Sequence, residues 1–159
     1  MSDATVTTIS VSREIAAPAE VVWGMISDVP RLGEWSPETT GCEWSGGVER
    51  AAVGAKFVGR NVNGAKKWNT ACTVTDCEPG SVFAFDSKSV GLPIAGWAYR
   101  FEPTDQGCRV TETWTDKRGW LVKTVSPWVS GVQDRATHNE ATMTESLKQL
   151  AAAAEATTH

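Results

Sequence analysis

The sequence lacks most of the features that identify a protein class at first sight. Its 159 residues include only four cysteines, two histidines and a single tyrosine. No apolar run approaches the roughly 20 residues that a membrane-spanning helix needs. Acidic residues outnumber basic ones by 19 to 15, and the net charge is -4. Because nucleic-acid binding needs a clustered basic surface, this balance argues against a nucleic-acid partner.

Metal and nucleotide chemistry also find no support. The cysteines form no C-x-x-C pair, and neither His138 nor His159 is close to them in sequence. The signatures G-x-G-x-x-G, G-x-S-x-G, H-E-x-x-H, the P-loop and the EF-hand are absent. We therefore expect no metal and no cofactor, and free thiols that are buried or half-buried. The cysteines concerned are Cys42, Cys72, Cys77 and Cys108.

Composition and length indicate one folded domain. The chain is 41% hydrophobic and 21% charged, which is ordinary for a globular protein. Residues 1–159 suffice for a single domain with its own core. The start, MSDATVTTIS, has neither a basic nor an apolar stretch, so no signal peptide is expected. We expect a cytoplasmic protein without stable membrane insertion, and nothing in the sequence indicates its oligomeric state.

Tryptophan, by contrast, is abundant: the chain has eight, two of them in the stretch PAEVVWGMISDVPRLGEWSP (18–37). Before this stretch, residues 6–15 alternate with period two, which predicts a strand with one apolar face. Pro18 suits a first helical turn, and Pro30 ends that helix. A second short helix is predicted over 31–35. The first helix carries apolar residues at helical spacing: Val22, Met25, Ile26 and Val29.

The middle of the chain predicts a meander of strands. Asn63-Gly64 is a hairpin signal because both residues tolerate positive φ, and the stretch from Gly91 to Gly96 is expected to be a longer connection. Short connections between consecutive strands favour antiparallel pairing. The strand-like runs lie near 39–46, 55–63, 66–78, 81–87, 95–103 and 108–116.

From about Ser130, the spacing of the apolar residues changes from that of a strand to that of a helix. A stripe at helical spacing predicts one long helix of about five or six turns. The complete order is a strand, two short helices, about six strands and a long helix, which predicts an α+β fold with helices on one side of an antiparallel sheet. The stripe consists of Val132, Ala136, Asn139, Met143, Leu147 and Leu150.

Four segments carry a resemblance to a known family: IAAPAEVVWGMISDVPRLGEWSP (15–37), YRFEP (99–103), TETWTD (111–116) and GVQDRATHNEATMTESLKQL (131–150). Together with the order of elements, they resemble the polyketide cyclase/dehydrase family of the START-like (SRPBCC, Bet v 1-like) superfamily, particularly its actinobacterial members. The resemblance implies a helix-grip fold, in which a curved antiparallel sheet of about six or seven strands surrounds the C-terminal helix. It also implies a cavity between them that accepts an apolar, aromatic or lipid-like molecule.

The sheet supplies the first candidates for the wall of that cavity. Alternation places Trp97, Tyr99 and Phe101 on one face, either as cavity wall or as plain core. Glu112 shares a face with Trp114. A buried carboxylate is costly unless it is hydrogen-bonded or protonated, so Glu112 is a candidate acid/base group or polar anchor. Alternatively, Glu112 pairs with an arginine such as Arg60 or Arg100 at a sheet edge, or the face that carries Glu112 and Trp114 points outward.

The last third supplies the other candidates. Asn139 lies within the helical stripe and needs a partner, which is Glu112, backbone, water or ligand. His138 lies outside the stripe and is expected at the surface or edge. The apolar segment 119–129 is either a lid or membrane-touching patch, or a short helix packed on the domain. Candidate ligand contacts are Trp35, Trp97, Tyr99, Phe101, Glu112, Trp114, Trp128, Asn139 and Met143.

Two classes of function follow. The first is a carrier, sensor or sequestering protein for a small hydrophobic molecule, because inner-face aromatics are many and no catalytic set is assembled. The second is an enzyme that resembles polyketide aromatase/cyclases and catalyses aldol cyclisation and dehydration, with Glu112 and Tyr99 as candidate catalytic residues and Asn139 in support. An interaction protein on the same fold is a third possibility.

Overall fold

Residues 7–157, which the computed structural model describes, form seven strands, a short 3-10 helix and three α-helices. Val6, at the predicted start of the first strand, and His159 lie outside this range. The elements are β1 (Thr8–Ile15), α1 (Ala19–Ser27), the 3-10 helix (Val29–Glu34), β2 (Thr39–Trp44), β3 (Lys56–Asn63), β4 (Lys66–Glu78), β5 (Val82–Ser89), β6 (Leu92–Thr104), β7 (Gly107–Asp116), α2 (Trp120–Ser130) and α3 (Arg135–Thr157).

All strands join one antiparallel sheet in the order β1-β7-β6-β5-β4-β3-β2. After β1, the chain crosses through α1 and the 3-10 helix to the far edge of the sheet, and the meander then returns until β7 pairs with β1. The sheet is curved and open, and α3 packs against β1 and β7. The predicted helix-grip architecture is confirmed.

Three element boundaries differ from the predictions. Within the predicted connection 91–96, residues 92–96 are already strand, because Val90 and Gly91, with positive φ values of 45° and 79°, form a two-residue hairpin turn. The long helix begins at Arg135 and not near Ser130, because Gly131, with φ 73°, already ends α2. It continues past Leu150 through a run of alanines, which favour helix. Segment 119–129 is largely helical, as part of α2.

The core lies in two parts on the inner face of the sheet. The larger part contains a chain of aromatic contacts, with ring centroids 5.6 Å apart for Trp44–Phe57, 5.0 Å for Phe57–Phe85 and 5.8 Å for Phe83–Phe85. The smaller part consists of Ala95, Trp114 and Met143. Within residues 7–157, no helix has the length and apolar character needed to cross a membrane.

Candidate functional site

A cavity of about 330 Å³ lies between the inner face of the sheet and the helical elements α2, α3 and the 3-10 helix. Small-molecule sites in proteins usually measure about 300–1,000 Å³ and have mainly apolar walls with a few polar groups. Here, indole rings from Trp35, Trp97 and Trp114 contribute to the wall, and Met143 contributes from α3. The size and lining therefore suit a compact apolar guest.

The central polar feature of the wall is the pair Tyr99 and Glu112. The two residues face each other across β6 and β7, and the Tyr99 hydroxyl donates a hydrogen bond to Glu112 Oε2 at 2.9 Å. Burial raises the pKa of Glu112 to about 8, against the lowering effect of that hydrogen bond. Burial and the neighbouring carboxyl hold the pKa of Tyr99 well above its ordinary value. At neutral pH, both groups therefore carry a proton.

Glu112 faces inward, as the alternation predicted, and neither candidate arginine pairs with it. Arg60 forms an exposed ion pair with Glu43 at 3.0 Å. Arg100 is exposed on the opposite face of β6. Glu112 is only 3% exposed. Because its carboxyl is protonated and therefore neutral, the fold buries no charge at this position.

Two buried polar atoms in the described part of the cavity wall have no hydrogen-bond partner. Among the buried side-chain nitrogen and oxygen atoms of residues 7–157, these are Glu112 Oε1 and Trp35 Nε1, and both residues line the cavity. A buried polar group without a partner costs about 1–3 kcal/mol. A guest that accepts a hydrogen bond from the protonated carboxyl or from the indole N–H would offset that cost.

A charged cluster at the first turn of α3 contributes Glu38, Arg135 and Asn139 to the cavity wall. Arg135 Nη1 donates to both carboxylate oxygens of Glu38, at 2.9 and 3.0 Å, and to Asn139 Oδ1 at 3.2 Å. The Arg135 guanidinium also lies over the ring of Trp68, 5.6 Å from its centroid. His138 Nε2 is 2.9 Å from Glu38 Oε2 and is half-buried at the edge. The partner of Asn139 is thus a cation, which was not among the expected partners.

A second ion pair anchors α2 to the sheet. Arg118 donates to both carboxylate oxygens of Asp116, each at 2.9 Å, and to Ser126 Oγ of α2 at 3.2 Å. Burial alone raises the pKa of Asp116, but the hydrogen bonds and charge of Arg118 bring it below its ordinary value. Arg118 and Ser126 both line the cavity, so this pair holds α2 in place as part of the wall.

Helix α2 covers the cavity with one side and faces outward with the other. Val122, Val125 and Val129 line the cavity, whereas Trp120 and Trp128 are 80% and 79% exposed. The predicted placement of Trp128 at the cavity is wrong. At about 100° per residue, Trp128 falls on the same outward side as Trp120.

The structure brings most of the predicted contacts together but not all. Phe101 is buried in the larger part of the core rather than in the cavity wall, because the inward face of β6 continues past the end of the cavity. Sequence reasoning missed Arg118, Glu38 and Arg135. Arg135 could have been found from its position four residues before Asn139, because residues four apart lie on the same face of a helix. The predicted residues that line the cavity are Trp35, Trp97, Tyr99, Glu112, Trp114, Asn139 and Met143.

The cysteine thiols that line the cavity are not nucleophilic. Cys42 and Cys72 line the cavity, but burial raises the pKa of Cys42 to about 12 and also raises that of Cys72. Because the thiolate is the nucleophile, these cysteines act as small apolar groups. All four cysteines are free. Within residues 7–157, no group of three His, Cys, Asp or Glu side chains is placed to hold a metal ion.

Solved structures share this fold. The solution NMR structure of the Polyketide_cyc-like protein Cgl2372 from Corynebacterium glutamicum is 30% identical, covers 94% of this chain and 83% of its own, and has a TM-score of 0.52. The Zhui aromatase/cyclase from Streptomyces sp. R1128 is 16% identical, with 97% and 96% coverage and a TM-score of 0.70.

A two-domain relative in structure matches as well. The di-domain ARO/CYC StfQ from the steffimycin biosynthetic pathway is 15% identical, with a TM-score of 0.75 over 96% of this chain. This chain spans 52% of that protein, about one of its two domains. At these identities, the likeness to StfQ and to Zhui shows the fold alone.

Comparison with curated proteins finds no match. The family model described as polyketide cyclase / dehydrase and lipid transport matches residues 6–155, which is nearly the whole sequence. The chain belongs to the polyketide cyclase/dehydrase and lipid transport family.

Proposed function

We propose that this protein binds a small apolar molecule that carries a ring and an oxygen acceptor, and serves as its carrier, sensor or sequestering protein. The observation that carries the proposal is the pair of unpartnered polar atoms, Glu112 Oε1 and Trp35 Nε1, in an otherwise apolar wall. Apolar surface provides affinity in such sites, and a few placed polar groups fix the orientation of the guest.

The chemistry of the two atoms defines the guest. The Trp35 indole N–H can only donate a hydrogen bond. Glu112 Oε2 accepts from Tyr99, so the proton of the neutral carboxyl is free to reside on Oε1 and to be donated. Both groups therefore suit a carbonyl, ether or phenol oxygen. Because Glu112 ionises at about pH 8, we expect binding of a carbonyl-bearing guest to weaken above that pH.

The test uses the protein's own tryptophans. Emission of the purified chain is titrated with naphthol, anthraquinone and oleate, and native mass spectrometry measures the stoichiometry. A matched pair of variants locates the site: Ser87→Leu places an added side chain on the lining, and Lys88→Leu places the same side chain on the exposed position next to it. We expect Ser87→Leu to bind about tenfold more weakly, or worse, and Lys88→Leu to bind like the parent.

Two results would reject the proposal. One is the absence of quenching and of a bound mass with every compound. The other is equal affinity in the Ser87→Leu and Lys88→Leu variants, both shown to be folded by circular dichroism, because it would place the compounds outside the cavity.

A second candidate function is catalysis of aldol cyclisation and dehydration. The observation that favours it is the Tyr99–Glu112 contact of 2.9 Å, since sequence reasoning had found no two titratable groups forced together. A carboxyl with a pKa of about 8 exchanges its proton near neutral pH, as a general acid or base requires. A cavity that folds a flexible chain into a reactive conformer would add to the rate.

This candidate is separated from simple binding by Glu112→Gln. An acyclic diketone serves as substrate, because its intramolecular aldol condensation forms one carbon–carbon bond and releases one water. If the protein is a cyclase, Glu112→Gln keeps affinity for the diketone and loses about 10²-fold or more in turnover. Equal turnover in the variant and the parent would remove Glu112 from the mechanism, and no turnover in the parent would leave binding as the function.

A further inference from the structure

An exposed apolar surface lies at the edge of the cavity. Val90, Leu92 and Val125 belong to both, but Trp120, Leu121 and Trp128 do not line the cavity, so a guest inside it would leave these three exposed. It combines the outward side of α2 with the turn between β5 and β6. Leu92 and Pro93 of that hairpin share a surface depression with Trp120 and Leu121 of α2, so the two elements meet. We call this surface the mouth patch and define it as Val90, Leu92, Trp120, Leu121, Val125 and Trp128, all exposed.

The mouth patch is unusual in its composition. Single exposed apolar residues are normal on protein surfaces, but a contiguous group that includes two indoles indicates a partner. Trp120 and Trp128 are both about four-fifths exposed. An indole combines a large apolar ring with one N–H donor, and for this reason tryptophan is enriched at the boundary between lipid and water.

The segments that build the mouth patch are basic, whereas the chain as a whole is acidic. Segments 87–94 and 117–131, which build the patch, contain four basic side chains and no acidic one, although the whole chain has a net charge of -4. Two of the four, Lys88 and Lys123, are exposed. Lys117 and Arg118 are paired with Asp86 and Asp116. A local basic surface on an acidic protein complements anionic head groups.

We propose that the mouth patch docks this protein on the surface of an anionic lipid bilayer, with Trp120 and Trp128 at the level of the head groups. The mode is that of an interfacial helix, in which apolar contact and attraction between Lys123 and anionic lipid add together. The inference does not depend on which guest the cavity holds. It places the helix that covers the cavity against the bilayer, where an apolar molecule can enter or leave.

The test measures co-sedimentation of the full chain with vesicles of phosphatidylcholine alone, or of equal parts phosphatidylcholine and phosphatidylglycerol. We expect binding to the anionic vesicles, a blue shift of tryptophan emission, and quenching by brominated lipid. Trp120→Ser combined with Trp128→Ser should weaken binding about tenfold or more and abolish the quenching. Lys123→Glu should weaken binding about fivefold or more at low salt only.

Two matched variants control for general effects. Val53→Ser removes an exposed apolar residue outside the patch, and Lys148→Glu reverses an exposed charge on α3; both should bind like the parent. The proposal is overturned if the parent binds neither vesicle, or if the double tryptophan variant binds as well as the parent. It is also overturned if the parent dimerises through these tryptophans, as shown by sedimentation velocity, while vesicles do not compete.

Discussion

Glu112 has a protonation state that changes with folding, and this makes its burial measurable. In the folded chain, its pKa is about 8, whereas an unfolded chain loses the same proton near the ordinary value of 4.5. The folded state therefore holds the proton more tightly. Protonation of Glu112 makes its full contribution to the free energy of unfolding below about pH 4.5. That contribution is lost as the pH rises through about 8.

We predict that Glu112→Gln removes this pH dependence. At pH 4 the variant and the parent should have similar free energies of unfolding, and at pH 9 the variant should be more stable by a few kcal/mol at most, since one pKa unit corresponds to about 1.4 kcal/mol. Urea unfolding of both proteins across this range gives the difference directly. Glu102→Gln, at an exposed position on β6, is the control. A difference that stays constant with pH would show that Glu112 is not buried in its neutral form.

At the scale of the element, two side-chain hydrogen bonds fix α2 over the cavity, from Arg118 to Ser126 Oγ and from Asn63 of β3 to the carbonyl oxygen of Ser130. Arg118 joins Asp116 of β7 to Ser126 of α2, and its side chain is only 14% exposed. We predict that Arg118→Ala increases amide exchange throughout Trp120–Ser130 and costs about 3 kcal/mol of stability. Asp116, whose side chain is 6% exposed, would lose its cation and keep the backbone N–H of residue 118 as a donor.

Lys117→Ala is the matched control for this prediction. The Lys117–Asp86 pair is exposed on both sides and should contribute less than about 1 kcal/mol. Exchange measured by mass spectrometry on peptides from α2 and α3 separates a local loosening of α2 from a general loss of stability. Equal protection of α2 in the parent and in Arg118→Ala would mean that its apolar contacts and the Asn63–Ser130 hydrogen bond suffice to hold it.

Elements were predictable from the sequence where one local rule determines them. The alternation in β6 and β7 correctly placed Tyr99 and Glu112 on one inward face, and helical spacing placed Asn139 and Met143. The β5–β6 turn was misjudged, because glycine and proline over 91–96 indicate a loop and only the pairing of the two strands shows how short it is. Trp128 was misjudged because the aromatic pattern does not distinguish the inward side of a short helix from its outward side.

At the scale of the whole molecule, the cavity arises from small residues as much as from large ones. Gly59, Thr70, Ser87 and Ala95 line it from four neighbouring strands. α3 does not fill the space that their short side chains leave, and the indoles of Trp35, Trp97 and Trp114 form part of the wall around that space. The sequence indicated the large residues, but the alignment of small ones depends on the register of distant strands. The ion pair of Glu38 with Arg135 joins residues that are far apart in sequence, and the pair of Arg118 with Asp116 matters through its contact with α2. Both were therefore recognised only in the structure.

The most direct test of the account is an NMR titration of the methionine methyl groups labelled with carbon-13. Met143 lines the cavity, and Met25, which is also buried, belongs to the packed core and is not part of the cavity lining. With naphthol as guest, we predict a saturable ring-current shift of the Met143 methyl signal and an unchanged Met25 signal. A Met143 signal that stays in place while naphthol binds, or shifts of equal size at both methyl groups, would contradict the claim that this interior holds a guest.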